Sequence, residues 1–379
     1  MRKGWEIKKL GEVLQKTETI DPTKKPEKEF IYIDVSSVNN QNFLIETTTL
    51  LRGKDAPSRA RKFIKTDDVI FATVRPTLNR IAIIPKEFNE QVCSTGYFIL
   101  RGKEIIINKY LFYFLLTEDF STKMGKLQKG ASYPVVTDSE VREQIISYPK
   151  SLPEQQRIVA ILDEAFEAID QAKANTAKNL QNAKELFQSE LNSIFTKKGE
   201  GWVEKKFEDV CVLQRGFDLP THSRNSGIFP LVSSNGITDR IDIWKVKAPG
   251  VVTGRSGTIG NIHFVEEDFW PLNTALYIKD FHGNDERCVF YFLKQFDLGK
   301  YSTGAGVPTL NRNNVHSVKV HFPIDRNEQN RIVHQLDTLS AETKKLEANY
   351  QKKLESLEEL KKSILQKAFS GELKDKIEK

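Results

Sequence analysis

The stretch "EQQRIVAILD" at residues 154–163 is written again as "EQNRIVHQLD" at residues 328–337, identical at seven of ten positions and offset by 174. The repeat reaches further upstream. Each copy follows a β-like run ending in proline, "IISYP" and "VKVHFP". Before those runs stand two Gly-containing loops, "LQKGASYPVVT" (127–137) and "YSTGAGVPTLN" (301–311). Before the loops stand "YLFYFLL" (110–116) and "CVFYFLK" (288–294). The halves open with "GWEIKKLGEV" from Gly4 and "GWVEKKFEDV" from Gly201, now offset by 197, so the second globular segment is 23 residues shorter than the first. A repeat this long means that one structural plan has been used twice.

The motif also starts a helix in each half. Ile158, Leu162, Ala165, Ile169, Ala172 and Thr176 step by 4, 3, 4, 3, 4, and Leu180, Ala183, Phe187, Leu191 and Ile194 resume the stripe after a polar stretch around Asn175, Asn179 and Asn182. In the second copy Leu336, Thr343, Tyr350, Leu357 and Ile364 recur every seven, with Leu339, Leu346 and Leu360 as a companion column that Lys353 interrupts. This narrow stripe is that of a coiled coil, not of a helix on a globular core. Ser151 and Asp325, each followed three residues later by Glu, predict capped starts. At about 1.5 Å per residue each helix would reach roughly 60–65 Å. Neither can bury its stripe alone, so the two should pack antiparallel as a spacer, related by a pseudo-two-fold.

The chain therefore reads as a globular domain at 1–150, a long helix at 151–200, a second globular domain at 201–324, and a second long helix with a tail at 325–379. Both globular segments are mixed α/β (α+β). Strand-like runs include "FIYID", "DVIFATV", "RIAIIP" and "GYFILR" in the first, and "APGVVTG", "GNIHFV" and "TALYIKD" in the second. Their strand order is not set by these patterns.

Composition adds bounds. The 379 residues suffice for two cores, and the net charge of +6 is compatible with nucleic acid without being diagnostic of it. Cys93, Cys211 and Cys288 are widely spaced and form no metal motif, which suits a reducing cytoplasmic setting. No signal peptide or membrane span is visible. No phosphate-binding loop, NPPY-like methylase motif, HExxH or intact GxSxG is present, so no catalytic residue and no metal ligand is assigned.

Two loop pairs carry candidate DNA contacts. "TGRSGTIGN" (253–261) offers backbone N–H groups with Arg255, Ser256, Thr258 and Asn261, and "ATVRPTLNR" (72–80) stands at the matching place with Arg75, Thr77, Asn79 and Arg80. The second pair offers Lys129, Ser132 and Tyr133 in one half, and Thr303, Thr309, Asn311, Arg312 and Asn313 in the other. Asn and Arg suit bidentate contact with adenine and guanine edges. Arg215, Ser234 and Asn235 are further candidates on the rim of the second domain. The plainer reading is that Asn, Ser and Gly are ordinary turn residues. The alternating charges of "KKLEANYQKKLESLEELKK" fit a solvated helix face better than a DNA contact.

"LPEQQRIVAILDEAFEAID", "RNEQNRIVHQLD" and the ending "SILQKAFSGEL" resemble the specificity subunit of type I restriction–modification enzymes over essentially the whole chain. The resemblance implies two target-recognition domains, each reading one half of a split site in double-stranded DNA, and two long helices that set the gap. It also implies two modification subunits, which bind S-adenosylmethionine and methylate adenine, and restriction subunits that use ATP and Mg²⁺. This chain itself would hold no cofactor. Glu154, Gln155, Arg157, Ile158, Val159 and Leu162, with Glu328, Gln329, Arg331, Ile332, Val333 and Leu336, match the family's helix start, and their implied role is helix packing and partner docking. Base-reading residues do not carry over, because recognition domains diverge most in such proteins. Two rivals stand beside this reading: a stand-alone DNA-modifying or DNA-cleaving enzyme, and a coiled-coil adaptor with no DNA role. Neither explains why two like scaffolds carry unlike loops.

Overall fold

The structure, a computed structural model, describes residues 4–197, 199, 201–304, 306 and 308–373. It divides into two units: unit 1 holds the residues up to Asn175 together with those from Lys353 onward, and unit 2 holds Thr176–Lys352. Each unit thus contains one mixed α/β body and a stretch of both long helices.

Unit 1 opens with strand β1 (Trp5–Lys9) and the short helix α1 (Leu10–Val13). Seven strands follow: β2 (Glu29–Ile33), β3 (Thr49–Arg52), β4 (Ala60–Phe63), β5 (Val69–Ala72), β6 (Ile81–Ile83), β7 (Val92–Ser94) and β8 (Tyr97–Leu100). Helices α2 (Asn108–Leu115), α3 (Glu118–Leu127) and α4 (Asp138–Arg142) lead to β9 (Ile145–Pro149). One sheet has the order β3-β2-β7-β4 and another β6-β5-β8. The apolar run of β5 is buried on both faces because side chains alternate along a strand. Val69 and Phe71 enter the core formed with α2 and α3, while Ile70 and Ala72 enter the core shared with Ile33, Cys93 and Tyr97.

Helix α5 (Leu152–Lys197, 46 residues) then begins within three residues of β9. In unit 2, β10 (Trp202–Lys206), helix α6 (Phe207–Val210), β11 (Val212–Arg215), β12 (Ser226–Ser233), β13 (Gly236–Ile241), β14 (Gly250–Gly254), β15 (Ile262–Val265), β16 (Trp270–Pro271) and β17 (Ala275–Asp280) precede α7 (Glu286–Gln295). The short strands β18 (Ser302–Thr303) and β19 (Thr309–Leu310), helix α8 (Asn313–His316) and β20 (Lys319–Pro323) lead into α9 (Arg326–Ser370, 45 residues). The sheets are β11-β17-β14-β15, β13-β12-β16, β18-β19 and β10-β20.

The sequence repeat corresponds to a repeated frame. β1 pairs antiparallel with β9 from Trp5↔Pro149 to Lys9↔Ile145, and β10 pairs with β20 in the same register from Trp202↔Pro323 to Lys206↔Lys319. The hairpin β5–β6 with β8 answers to β14–β15 with β17. Val251 and Leu276 face one core while Val252 and Tyr277 face the other, as along β5.

The helical stripes are buried mainly as the spacing predicts. Ile158, Leu162, Ile169, Thr176, Ala183 and Leu191 of α5 are buried, as are Leu336 and Thr343 of α9. Thr343 satisfies its own hydroxyl by donating to the Leu339 carbonyl at 2.8 Å. In unit 1 the helices run antiparallel, since Asp170 pairs with Lys361 and Lys173 with Glu358. In unit 2, Gln335 donates to Glu190 at 2.8 Å. The companion column departs from expectation: Leu346 and Leu360 are 40% and 47% exposed. A pair of helices shares one seam, and these two leucines lie outside it.

Candidate nucleic-acid interface

The repeated motif works as an internal clamp. Gln155 is fully buried, accepting from the Ile107 N–H at 2.9 Å and donating to the carbonyls of Ile105 (2.9 Å) and Pro149 (2.8 Å). Gln329 repeats this, accepting from the Asp285 N–H at 2.7 Å and donating to Asn284 Oδ1 and the Pro323 carbonyl, both at 2.9 Å. Each amide ties the helix start to the strand before it and to the start of α2 or α7. Ile158, Val159, Leu162, Ile332 and Leu336 pack into the adjoining cores, with Val333 partly buried against its own. Glu154 pairs with Arg157 and Glu328 with Arg331, each at 2.7 Å. At the second start the Asp325 carboxylate accepts from the Asn327 N–H at 3.2 Å, a side-chain cap.

One further pair of positions escaped the sequence reading. Asp163 accepts from Tyr113 (2.5 Å) and Lys109 (2.7 Å), and Asp337 accepts from Tyr291 and from Arg287 (2.7 Å). The signal was present, since the Asp closes both copies of the helix motif and the Tyr recurs in both "FYFL" segments.

The two candidate loops of each half, read separately in the sequence, meet. In unit 1 the Arg75 N–H donates to the Pro134 carbonyl at 2.7 Å, and the Val136 N–H to that of Thr73 at 3.0 Å. The Arg75 guanidinium lies 4.9 Å from the Tyr133 ring centre and reaches the Ser132 carbonyl at 3.4 Å. Tyr133 is 70% exposed, an aromatic face beside a cation at a loop tip. Arg75 and Asn79 both adopt φ near +50° around the turn Pro76–Leu78. That region is costly for a side-chain-bearing residue, so the loop is held in shape by its surroundings. Thr77 is exposed, and Asn79 accepts from Ser121 of α3 at 3.3 Å. Lys129 is exposed and ion-paired to Glu140 at 3.0 Å. Arg80 instead braces the loop from below, donating to the carbonyls of Val35, Ser36 and Val38.

In unit 2 the Leu310 N–H donates to the Arg255 carbonyl at 2.7 Å, the Gly257 N–H to that of Pro308 at 3.3 Å, and Ser256 faces Thr309 in an antiparallel bridge. Thr258 donates to Asn235 at 2.6 Å, joining the loop to the tip of the β12–β13 hairpin. Arg255 reaches the Asn273 carbonyl at 3.2 Å, Arg215 pairs with Asp218 at 3.1 Å, and Arg312 donates to Gln214. Asn261, Thr303, Asn311 and Asn313 are exposed. Ser234 is buried under the loop against Gly254, not on the rim where the sequence reading put it. Asn273, outside every candidate segment, donates to Asp218.

Among the described residues no three His, Cys, Asp or Glu side chains converge to hold a metal, and no helix is long and apolar enough to cross a membrane. Burial raises all three thiols, Cys93 to about 12, so none is a ready nucleophile. Burial lowers the pKa of His263 and His316 in unit 2, and the Leu213 N–H donates to His316 Nε2 at 3.1 Å. A depressed pKa means that the unfolded chain binds the proton more readily. Their stabilisation is complete above the unfolded value of about 6.5 and is lost as pH falls through the folded values. Thermal unfolding of unit 2 is therefore expected to move to lower temperature on acidification from about pH 8 to about pH 5.5. His316→Asn should flatten part of that slope, and an unchanged slope would refute the assignment.

Residues 2–179 and 199–356 each match the model of the type I restriction modification DNA specificity domain. The chain belongs to this family. A chain in a structure describing complex assembly and conformational transition of the type I R-M system is 26% identical, with a TM-score of 0.89 over 98% of this chain and 99% of that one. The HsdS subunit from Thermoanaerobacter tengcongensis is 27% identical, with a TM-score of 0.71 over 98% of both chains. Among curated relatives, the HindI specificity subunit of Haemophilus influenzae is 24% identical over 44% of this chain, and the MjaIX specificity subunit of Methanocaldococcus jannaschii is 23% identical over 58%. These matches span 35% and 54% of the relatives' own lengths. The two family segments coincide with the two repeated frames, so this specificity-domain protein carries its loop clusters once per family segment.

Proposed function

We propose that the chain is the non-catalytic DNA-recognition subunit of a type I restriction–modification complex, each unit reading one half of a bipartite, asymmetric site. The observation that carries this is a single frame built twice with unlike loops at equivalent places: Arg75 with Tyr133 in one unit, Arg255 with Ser256 and Thr309 in the other. A like frame presents the loops in the same way, and unlike side chains select different bases. Backbone contacts by Lys and Arg supply salt-dependent affinity.

The two long helices set the gap between the half-sites and dock two modification subunits. Leu186 and Leu346 of unit 2 are 51% and 40% exposed, and Leu360 of unit 1 is 47% exposed, so each unit leaves apolar side chains of its helices for a partner to cover. Adenine methylation with S-adenosylmethionine, and ATP- and Mg²⁺-dependent cleavage, belong to the partner subunits in the cytoplasm. The buried Gln155 and Gln329 act within the chain, and docking falls to exposed neighbours.

The test is exchange of residues 201–324 for the matching segment of another family member, with genome-wide adenine methylation read by long-read sequencing. One half-site should change while the other half-site and the gap stay fixed. A change in both half-sites would reject the assignment of one unit to each.

A further inference from the structure

Unit 2 carries an open groove of about 490 Å³ between the tip of the β12–β13 hairpin, β15, α7 and the first half of α9. Asn235, the residue that accepts from Thr258 of the recognition loop, forms part of its wall, so the groove adjoins the candidate contact surface. Three cations line it: Arg287, Lys294 and Lys344. Arg287 is balanced internally, by Asp337 at 2.7 Å and Glu266 at 3.4 Å. The two lysines have no carboxylate partner among the described residues. The Lys294 ammonium is instead held over two rings, 5.1 Å from the centre of Phe290 and 5.5 Å from that of Phe187. Burial, and the like charge of Lys344, push its pKa down. The like charges of the two ammonium groups repel each other, and an anion seated between them would turn that repulsion into attraction.

Unit 1 treats the corresponding place differently. Its groove of about 460 Å³ is lined by Leu116, where "YLFYFLL" aligned with "CVFYFLK" puts Leu opposite Lys294. Its three lysines are all paired: Lys173 with Glu358, Lys361 with Asp170 at 3.1 Å, and Lys362 with Glu359 at 3.0 Å. The surplus positive charge is a property of one unit.

We propose that Lys294 and Lys344 grip one backbone phosphate of the duplex whose bases unit 2 reads, a clamp that unit 1 lacks. This rests on the DNA-recognition reading above and adds to it a phosphate contact outside the loops. A phosphodiester is the anion that the adjacent loop would deliver there, and such a contact positions the protein without choosing bases.

The experiment is a salt titration of DNA binding by the full chain in its complex with modification subunits. It compares wild type, Lys344→Gln, the double variant Lys294→Gln with Lys344→Gln, and Lys345→Gln, which removes the same charge outside the groove. The double variant should bind several-fold more weakly, with the slope of log affinity against log salt reduced by about one. Its methylated motif should be unchanged, and Lys345→Gln should leave the slope as it was. Lys294 packs on two rings, so thermal unfolding is measured alongside. If the double variant is destabilised, Lys344→Gln alone decides the question. An unchanged slope in stable variants, with specific binding intact in wild type, would overturn the clamp and leave the recognition reading standing, pointing the lysines toward an acidic protein partner. Absence of specific binding by the wild-type complex would overturn both.

Discussion

Replacing Gly254 by Ala is expected to abolish site recognition by unit 2 while leaving unit 1 folded and its half-site unchanged. A Cβ at position 254 would lie 1.7 Å from the Thr258 carbonyl oxygen and 2.7 Å from its carbon. Both are backbone atoms, so no rotamer change relieves the overlap and the loop from Arg255 to Asn261 must shift. With it go the Thr258–Asn235 bond (2.6 Å) and the link from the Leu310 N–H to the Arg255 carbonyl (2.7 Å), two of the contacts that bring this loop to its neighbours. Specific base contacts are worth about 1–3 kcal/mol each, so losing two or more should cost roughly 10²-fold or more in specific affinity. Gly257 offers a contrast. It adopts φ +83° with open space around it, so Gly257→Ala should cost only about 1 kcal/mol of backbone strain. Competition with duplexes altered in one half-site at a time measures both. A Gly254→Ala protein that still discriminates at the unit 2 half-site would remove the loop from the interface.

Gln329→Leu should strongly destabilise unit 2 while leaving every loop residue in place. The side chain is 1% exposed and meets the Asp285 N–H, the Pro323 carbonyl and Asn284 Oδ1. Leu fills the volume and satisfies none of them. Each buried group left unpaired costs about 1–3 kcal/mol, and a total of about 3–5 kcal/mol is expected. Asp285 is also the cap of α7, accepting from the N–H groups of Arg287 and Cys288, so hydrogen exchange at the start of α7 should accelerate. Gln155→Leu should do the same to unit 1 through Ile107, Ile105 and Pro149. If Gln329→Leu melts with wild type, the clamp is not what holds the helix start to its domain.

The duplication, the two long helices and the mixed character of each domain were legible from residue pattern alone. Their signals are local: a heptad column, a capping residue, an apolar run of strand length. The places of the two loop pairs were legible because the repeat aligned them. That the pairs meet is settled by the tertiary fold, since Arg75 and Pro134, or Arg255 and Leu310, are more than fifty residues apart and joined by backbone hydrogen bonds that carry no signature in side-chain pattern. The fold also decided which polar residues are spent inside. Arg80 and Ser234 read like surface contacts, yet one braces three carbonyls and the other lies beneath a glycine turn. Gln155 and Gln329 read as residues of helix packing and partner docking, and burial leaves them the packing role, while Leu346 and Leu360 read as seam residues and face outward. Residue type and spacing fix what a side chain can do, and burial and partners, set by the whole fold, fix which of those things it does.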